Sequence, residues 1–451
     1  MSKRILVWAF SAVVGLFLVV GVLWLTARYS GLSAEQHEAL AVMQLPPAEG
    51  KNAFPLLWLL QYDVPEEEMA KIMAKDLDRF SRQPVGSNYD DVSWGQTSAA
   101  DEYAFIGLDA EQTLMTCRGG DADCLDRVRQ NQQAVADMIS DKQGLLQRLD
   151  KLHSADHYRS SFPPRIDMPF PGFQYGFFPA TRHALWFVEG RTEEALAGVC
   201  QDIATWRRLA ARGDSLIVQM IGIAFSSDAN GRLLAQMLAE LPLDHPLPQV
   251  CEVALAAPAD EELSLCNALR GEYAFMAGST DFVLAANPDD FWHRLIEPLV
   301  LNRETFLVDQ ARVLEPACSE ATKQAIAADQ PDVSLTGVDT GLLRWRCVDN
   351  IAGCVLLQIG QPHYSDYLAR VQDHAARLRL LATVVWLRDQ PEISTDNLGQ
   401  RLTERPEWMK SPTREIMLGP DGNTNTLQMP AFETRRNEVI ELPLPMAMLG
   451  E

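Results

Sequence analysis

The first stretch that could do chemistry is Gly213-Asp214-Ser215-Leu216. A serine behind a tight glycine turn becomes a nucleophile when a histidine takes its proton and an acid orients that histidine. Asp290-Phe291-Trp292-His293 supplies an Asp-x-x-His downstream. The chemistry also needs a buried strand ahead of the serine and oxyanion donors from separate segments. The preceding run Trp206-Arg207-Arg208-Leu209-Ala210-Ala211-Arg212 instead has the character of a helix end, and no Gly-x-Asn-Asp block lies between the two motifs. Gly213 therefore reads as a helix terminator, and Asp214 or Ser215 as the cap of the next helix.

Other candidates are thinner. His153 and His157 stand four apart, a spacing that puts two metal ligands on one helix face, but no third ligand is identifiable. They read better as a basic helix end. Glu272, in Arg270-Gly271-Glu272-Tyr273, lies beside the apolar stripe Leu265, Leu269, Tyr273 and Met276, with Arg270 as its expected partner. A buried acid can be functional, but glycosidase chemistry requires a second acid at a defined spacing. Walker, Gly-x-Gly-x-x-Gly, His-Glu-x-x-His and EF-hand signatures are missing. The sequence thus assigns no catalytic residue, no cofactor and no metal. Phe170, Phe173, Tyr175, Phe177 and Phe178 form an aromatic stretch that could bind a partner or pack as a domain joint.

The elements that would position these residues are mainly helical. Lys3 and Arg4 precede an uncharged run, Ile5 to Ala27, closed by Arg28. The run is long enough for a ~30 Å hydrocarbon layer, and it exceeds the apolar core of a secretory signal. The expectation is an uncleaved transmembrane anchor over 1–28. The basic flank stays cytoplasmic, and the body lies in the periplasm of a bacterial inner membrane. Residues 29–161 then read as an N-terminal helical domain. Within it, Ser33-Ala34-Glu35-Gln36 forms a capping box, a helix over 63–80 opens at Pro65 with three glutamates, 82–100 is loop, and a long helix covers 121–152. Residues 162–179, with five prolines, read as a linker and domain boundary. Residues 180–402 read as a helical-hairpin domain. It holds helix–turn–helix over 181–212, a buried helix over 214–241, and the stripe Tyr364, Tyr367, Leu368, Val371, Ala375, Leu378. Residues 403–451 read as a β-hairpin appendix, with strands at 416–418 and 426–429 and a third at 439–442.

Composition narrows the classes further. A net charge of −22 over 451 residues opposes nucleic-acid binding and adsorption to anionic lipid, and suits a basic protein partner. Eight cysteines in an oxidising compartment point to disulfides, although eight allow 105 connectivities. Cys117 with Cys124 and Cys347 with Cys354 are close enough in sequence to pair, and Cys251 with Cys266 could bridge a helical hairpin.

Gly213 to Leu216 also spells the tetrapeptide of the GDSL esterases, without the context that family needs. Gly190 to Ala195, Gly-x-x-Glu-Glu-Ala, resembles a tetratricopeptide hairpin, with no repeat along the chain. The basic start, the anchor, Glu49-Gly50-Lys51-Asn52-Ala53, the helical body and Arg270-Gly271-Glu272 resemble single-span helical envelope proteins of Gram-negative bacteria. The layout also resembles immunity proteins against toxins delivered by type IV secretion. That resemblance implies capture of a protein partner, a basic secreted toxin, rather than turnover. A structural scaffold of an envelope complex and an envelope hydrolase built on Ser215 are the alternatives. A reporter active only in the cytoplasm, fused after Glu451, is expected to be silent; strong activity would reverse the topology.

Overall fold

The apolar N-terminal run forms one helix, α1 (Lys3–Arg28). Its stretch Val7–Arg28 has a mean hydropathy of 2.4, and none of its apolar window is buried by the body. At 1.5 Å per residue its 26 residues extend about 39 Å, enough to cross a bilayer. The computed structural model describes residues 3–82, 98–285, 291–331, 333, 335, 341–342, 344–360, 364–391, 393–394, 396–419, 425–433 and 439–448. The glycine- and serine-rich stretch expected as loop lies almost entirely outside these residues, as does the turn at Pro420 to Asn423.

The body is a mainly α array with a small sheet. α2 (Ala34–Val42) starts at the expected capping box: the Ser33 hydroxyl accepts from Gln36 N, and the Gln36 side chain accepts from Ser33 N. α3 (Glu66–Arg82) carries its three glutamates in the first turn, where backbone N–H groups and the helix dipole favour them. The expected helix over 121–152 is instead three: α4 (Cys124–Gln130), α5 (Gln132–Asp141) and α6 (Gln143–Asp150). The breaks fall at Asn131 and Lys142, whose backbones leave the helical region. Each short piece can then turn its own apolar face, such as Leu125 and Val128 or Leu145 and Leu149, inward.

α7 (Phe178–Val188) and α8 (Thr192–Ala211) form the expected hairpin. Gly190 sits between them at φ +83°, a backbone that side-chain-bearing residues rarely adopt. α8 is the hub of the body. It packs on α7, on α9 (Leu216–Ile223) and on the helix Val250–Ala254, burying Leu196, Val199, Ile203, Trp206 and Leu209. The single helix expected over 214–241 is α9, then a π-helical segment (Ala224–Asn230), then α10 (Gly231–Glu240). The wider π turn brings Phe225 against both Phe177 and Trp206, with ring centroids 4.5 Å apart in each pair. α11 (Cys266–Ala285), α12 (Phe291–Val300), α13 (Arg303–Leu314), α14 (Ile351–Gly360) and α15 (Tyr364–Arg388) complete the array.

β1 (Met417–Leu418), β2 (Thr426–Pro430) and β3 (Val439–Pro443) form an antiparallel sheet in the order β1-β2-β3, with Leu427 opposite Leu442. Its inward residues Leu427, Met429, Ile440 and Leu442 are buried. Arg414 ties the sheet to α15. Its guanidinium donates to Asp329 and, at 2.7 Å, to Asp373, while Asp373 accepts from the backbone N–H groups of Phe432 and Glu433.

The core has two clusters. The larger runs from Ala53 to Met448 and includes Phe162, Met168, Phe173, Tyr175 and Phe178. Apolar side chains of the stretch 162–179 thus pack in one cluster with residues from both sides of it. The smaller cluster joins α2, α9, α11, α13 and α15 through Met43, Leu216, Leu269, Leu314 and Val371.

All eight cysteines are in disulfides: Cys117–Cys124, Cys200–Cys251, Cys266–Cys318 and Cys347–Cys354. The two close pairs match the sequence expectation. The Cys251–Cys266 bridge gives way to two long-range ones, because Cys251 faces α8 beside Leu196 and Cys266 opens α11 against the segment after α13. Denatured, unreduced protein is expected to show no free thiol. Replacing Cys200 and Cys251 by alanine opens a 51-residue loop. It should lower the unfolding free energy by about 4 kcal/mol on the chain-entropy model, as read by denaturant titration.

Candidate functional site

A pocket of about 540 Å³ opens at the seam between the two clusters. Phe162, Ile166, Met168, Phe170 and Phe275 give it apolar walls, and Asp214, Ser215, Glu272, Tyr158 and Tyr364 give it polar groups.

Three segments converge to build it. The first is the extended stretch 157–160. It is held by Glu49-Gly50-Lys51-Asn52-Ala53, the stretch that carried the envelope-protein resemblance. Asn52 bridges residue 159 from both directions: its Nδ2 donates to the Arg159 carbonyl at 2.7 Å, and its Oδ1 accepts from Arg159 N at 2.9 Å. Lys51 N donates to Asp156 Oδ2 at 2.8 Å, and Ala53 N donates to the His157 carbonyl at 2.9 Å. Gly50, at φ +88°, lies where a Cβ would strike the Asp156 carboxylate. This clamp presents Tyr158, Arg159 and Ser160 to the pocket.

The second segment is the turn into α9. Gly213 ends α8, and Ser215 is the N-cap of α9, its hydroxyl accepting from Val218 N at 3.3 Å. Asp214 sits between them, and its Oδ2 accepts from Ser160 N at 3.0 Å. The third is α11. At Gly271 a Cβ would lie 1.5 Å from the Asp214 carbonyl oxygen, so only glycine lets α11 approach the turn this closely. Asn267 Nδ2 donates to the Gly213 carbonyl at 2.8 Å one turn earlier. The neighbouring Glu272 then reaches the start of α9, where its Oε1 accepts from Leu216 N at 3.1 Å.

The outcome for the sequence candidates is mixed. Ser215 reaches the pocket but serves as a helix cap, as its local sequence implied. Asp290 and the His293 side chain lie outside the described residues. Glu272 is half-buried, but the expected partner Arg270 turns away and donates to the Val42 carbonyl at 2.7 Å. His153 and His157 diverge. His153 pairs with Asp202 at 2.8 Å, and His157 Nδ1 lies 3.1 Å from the Glu49 carbonyl. Asp202 also takes His183, at 2.9 Å; burial pushes this carboxyl up, and the two imidazoles outweigh that and hold it well below the usual range. Of the aromatic stretch, Phe173, Tyr175 and Phe178 are buried in the core and Phe177 packs on Phe225. Only Phe170 of these five lines the pocket. Phe173–Phe177 makes a short 3-10 turn that leads into α7, with Pro179 in the first turn of that helix.

The convergence of Asp214 and Glu272 on one pocket was missed. Fifty-eight positions of chain separate them, and no local spacing signals it. Burial pushes Asp214 up from 3.8 to about 6, against the opposing pull of Ser160 N and of nearby Arg159. Glu272 is raised chiefly by burial and further by the Asp214 charge, while Leu216 N pulls it down. Burial, with a smaller push from Glu272, raises Tyr364 to about 12, so it stays a neutral donor. Among the described residues neither carboxylate makes an ion pair; Arg159, whose charge acts on Asp214, donates to the Pro46 carbonyl at 2.8 Å. Two acids in an apolar pocket can hold a cationic or hydrogen-bond-donating group, or exchange a proton with one.

No protein family, curated protein or solved structure matches the chain.

The raised Asp214 makes stability depend on pH with a defined sign. A carboxyl whose folded pKa exceeds its unfolded value binds more protons when folded. Its stabilising share is present below about pH 4 and is lost as pH rises through about 6. Asp214→Asn keeps an oxygen acceptor for Ser160 N and removes the charge. It should match the parent at pH 4 and be more stable at pH 8 by on the order of 2 kcal/mol, measured by denaturant unfolding. Equal stability at both pH values would mean that Asp214 ionises freely.

Proposed function

We propose that this chain is a single-pass inner-membrane protein whose periplasmic body captures a protein partner, as an immunity-type inhibitor of an antibacterial toxin. The observation that carries the reading is the pair Asp214 and Glu272, half-buried in a largely apolar pocket without an ion-pair partner among the described residues. Such a pocket accepts a partner segment that presents apolar side chains together with a lysine or arginine. A cation there compensates the carboxylates that burial penalises, so binding lowers both proton affinities and returns the lost stability. The −22 charge supports fast encounter with a basic partner, with a rate that falls as salt is added. The apolar α1 supports tethering, which raises the effective concentration at the membrane where such a toxin arrives. The four disulfides fit an oxidising compartment.

Deleting the gene should make cells sensitive to toxin-bearing siblings, and restoring it should protect them. The Asp214→Asn, Glu272→Gln double variant should remain folded and anchored yet lose protection, whereas Ser215→Ala should protect. Full protection by the double variant would remove the pocket from the interaction.

A second reading is favoured by one observation, the raised proton affinity of Asp214 beside a second acid: acid–base hydrolysis of an envelope component or of the toxin itself. Stoichiometry separates the two. An inhibitor neutralises purified toxin only up to its own molar amount. An enzyme does so at catalytic amounts and leaves modified product.

A further inference from the structure

α12 and α14 expose apolar side chains where the body meets α1. On α12, Leu295 is 51% exposed, and Ile296 and Leu299 are open as well. Positions 295, 296 and 299 fall on one face of that helix. On α14, Ile351, Val355, Leu356 and Ile359 are exposed, Ile359 to 68%, while Cys354 and Leu357 point inward. Positions 351, 355 and 359 again form one face. The two helices pack on each other, so the faces are neighbours.

Both are fastened to the exit of the apolar N-terminal helix. Trp24 Nε1 donates to the Leu299 carbonyl at 3.0 Å, and Arg28 Nη1 donates to the Leu301 carbonyl at 3.3 Å. Directly after α12, Asn302 caps α13 and holds the turn before α14: its N–H donates to Asn350 Oδ1 at 3.0 Å, and its Nδ2 donates to Asp349. The last turn of α1, the end of α12 and the start of α14 are therefore one hydrogen-bonded unit. Trp24 and Arg28 are residue types that favour the headgroup level.

We propose that α12 and α14 lie in the interface of the same membrane that α1 enters, with Leu295, Leu299, Val355 and Ile359 seated at the headgroup–acyl boundary. This rests on the reading that α1 is embedded in a bilayer. Given that reading, the hydrogen bonds at Leu299 and Leu301 bring the α12 face to the membrane surface. A lipid occupant follows from that attachment, since the last turn of α1 is hydrogen-bonded to the end of the helix that carries the exposed α12 face. The attraction is apolar, because a net charge of −22 opposes anionic headgroups. The body thus rests on the bilayer in one orientation instead of swinging freely from its anchor.

The test uses the full chain in nanodiscs of phosphatidylcholine doped with a phospholipid that carries a photoactivatable diazirine on its acyl chain. After irradiation, peptides are mapped by mass spectrometry. Labelling is expected in 3–28 and also in 291–300 and 351–360, several-fold above that of buried α8. A variant with Leu295→Asn, Leu299→Asn, Val355→Asn and Ile359→Asn should lose the label on α12 and α14 several-fold and keep it on α1. Since all four side chains are exposed, its circular dichroism should match the parent. Label on α1 alone in the parent would overturn the proposal while leaving the anchor in place. Label on none of the three would overturn the anchor and the proposal together. Cross-links between copies through α12 or α14, with no lipid label there, would assign the face to self-association and overturn it too.

Discussion

The site depends on one close approach. α11 meets the turn at Asp214 so tightly that a single carbon on residue 271 would overlap a backbone oxygen. With glycine there, Asn267 reaches the Gly213 carbonyl, and Glu272 reaches the first free N–H of α9. Remove that approach and the pocket loses one wall, one carboxylate and the seam between the two clusters. The clamp at Asn52 does the matching work on the other side, since it fixes the stretch whose Ser160 N–H holds Asp214 in place.

Holding two half-buried acids in a largely apolar pocket costs stability. Several buried charges elsewhere are paired: Arg207 with Glu262 at 2.7 Å, Arg414 with Asp329 and Asp373, Asp202 with two imidazoles; others, such as Asp76 and Arg388, are held, among the described residues, by hydrogen bonds alone. Such pairs contribute little net stability but a great deal of positional definition, because either partner alone would be a stranded charge. Asp214 and Glu272 are the contrast. They have raised proton affinities and make no ion pair among the described residues, which is the feature that the proposed capture of a cationic group uses. Long-range disulfides from α8 and from α11 hold the scaffold while that vacancy in the electrostatics persists.

Much of the local structure was written in short sequence patterns. The Ser33 box, the glutamates opening α3, the Gly190 turn and the three-and-four stripe of α15 each depend on residues within a few positions of one another, and each appears where expected. The same holds for the two close disulfides and the strands of the sheet. The failures share one cause. The breaks at Asn131 and Lys142 and the π turn at 224–230 are set by which neighbour each side chain must meet, and that neighbour lies far along the chain.

By itself, then, the sequence determined the apolar N-terminal helix, the helical class, the acidic surface and the capping role of Ser215. These follow from composition and from contacts within a turn or two. Only the tertiary structure decided that Glu272 would share a pocket with Asp214 and not pair with Arg270, that Cys251 would find Cys200, and that the two motifs of the envelope-protein resemblance would serve one pocket. Those outcomes depend on how closely separate helices can approach. That distance is decided by side-chain volume at positions such as Gly271, where the absence of a single carbon can be weighed only once its opposing backbone is known.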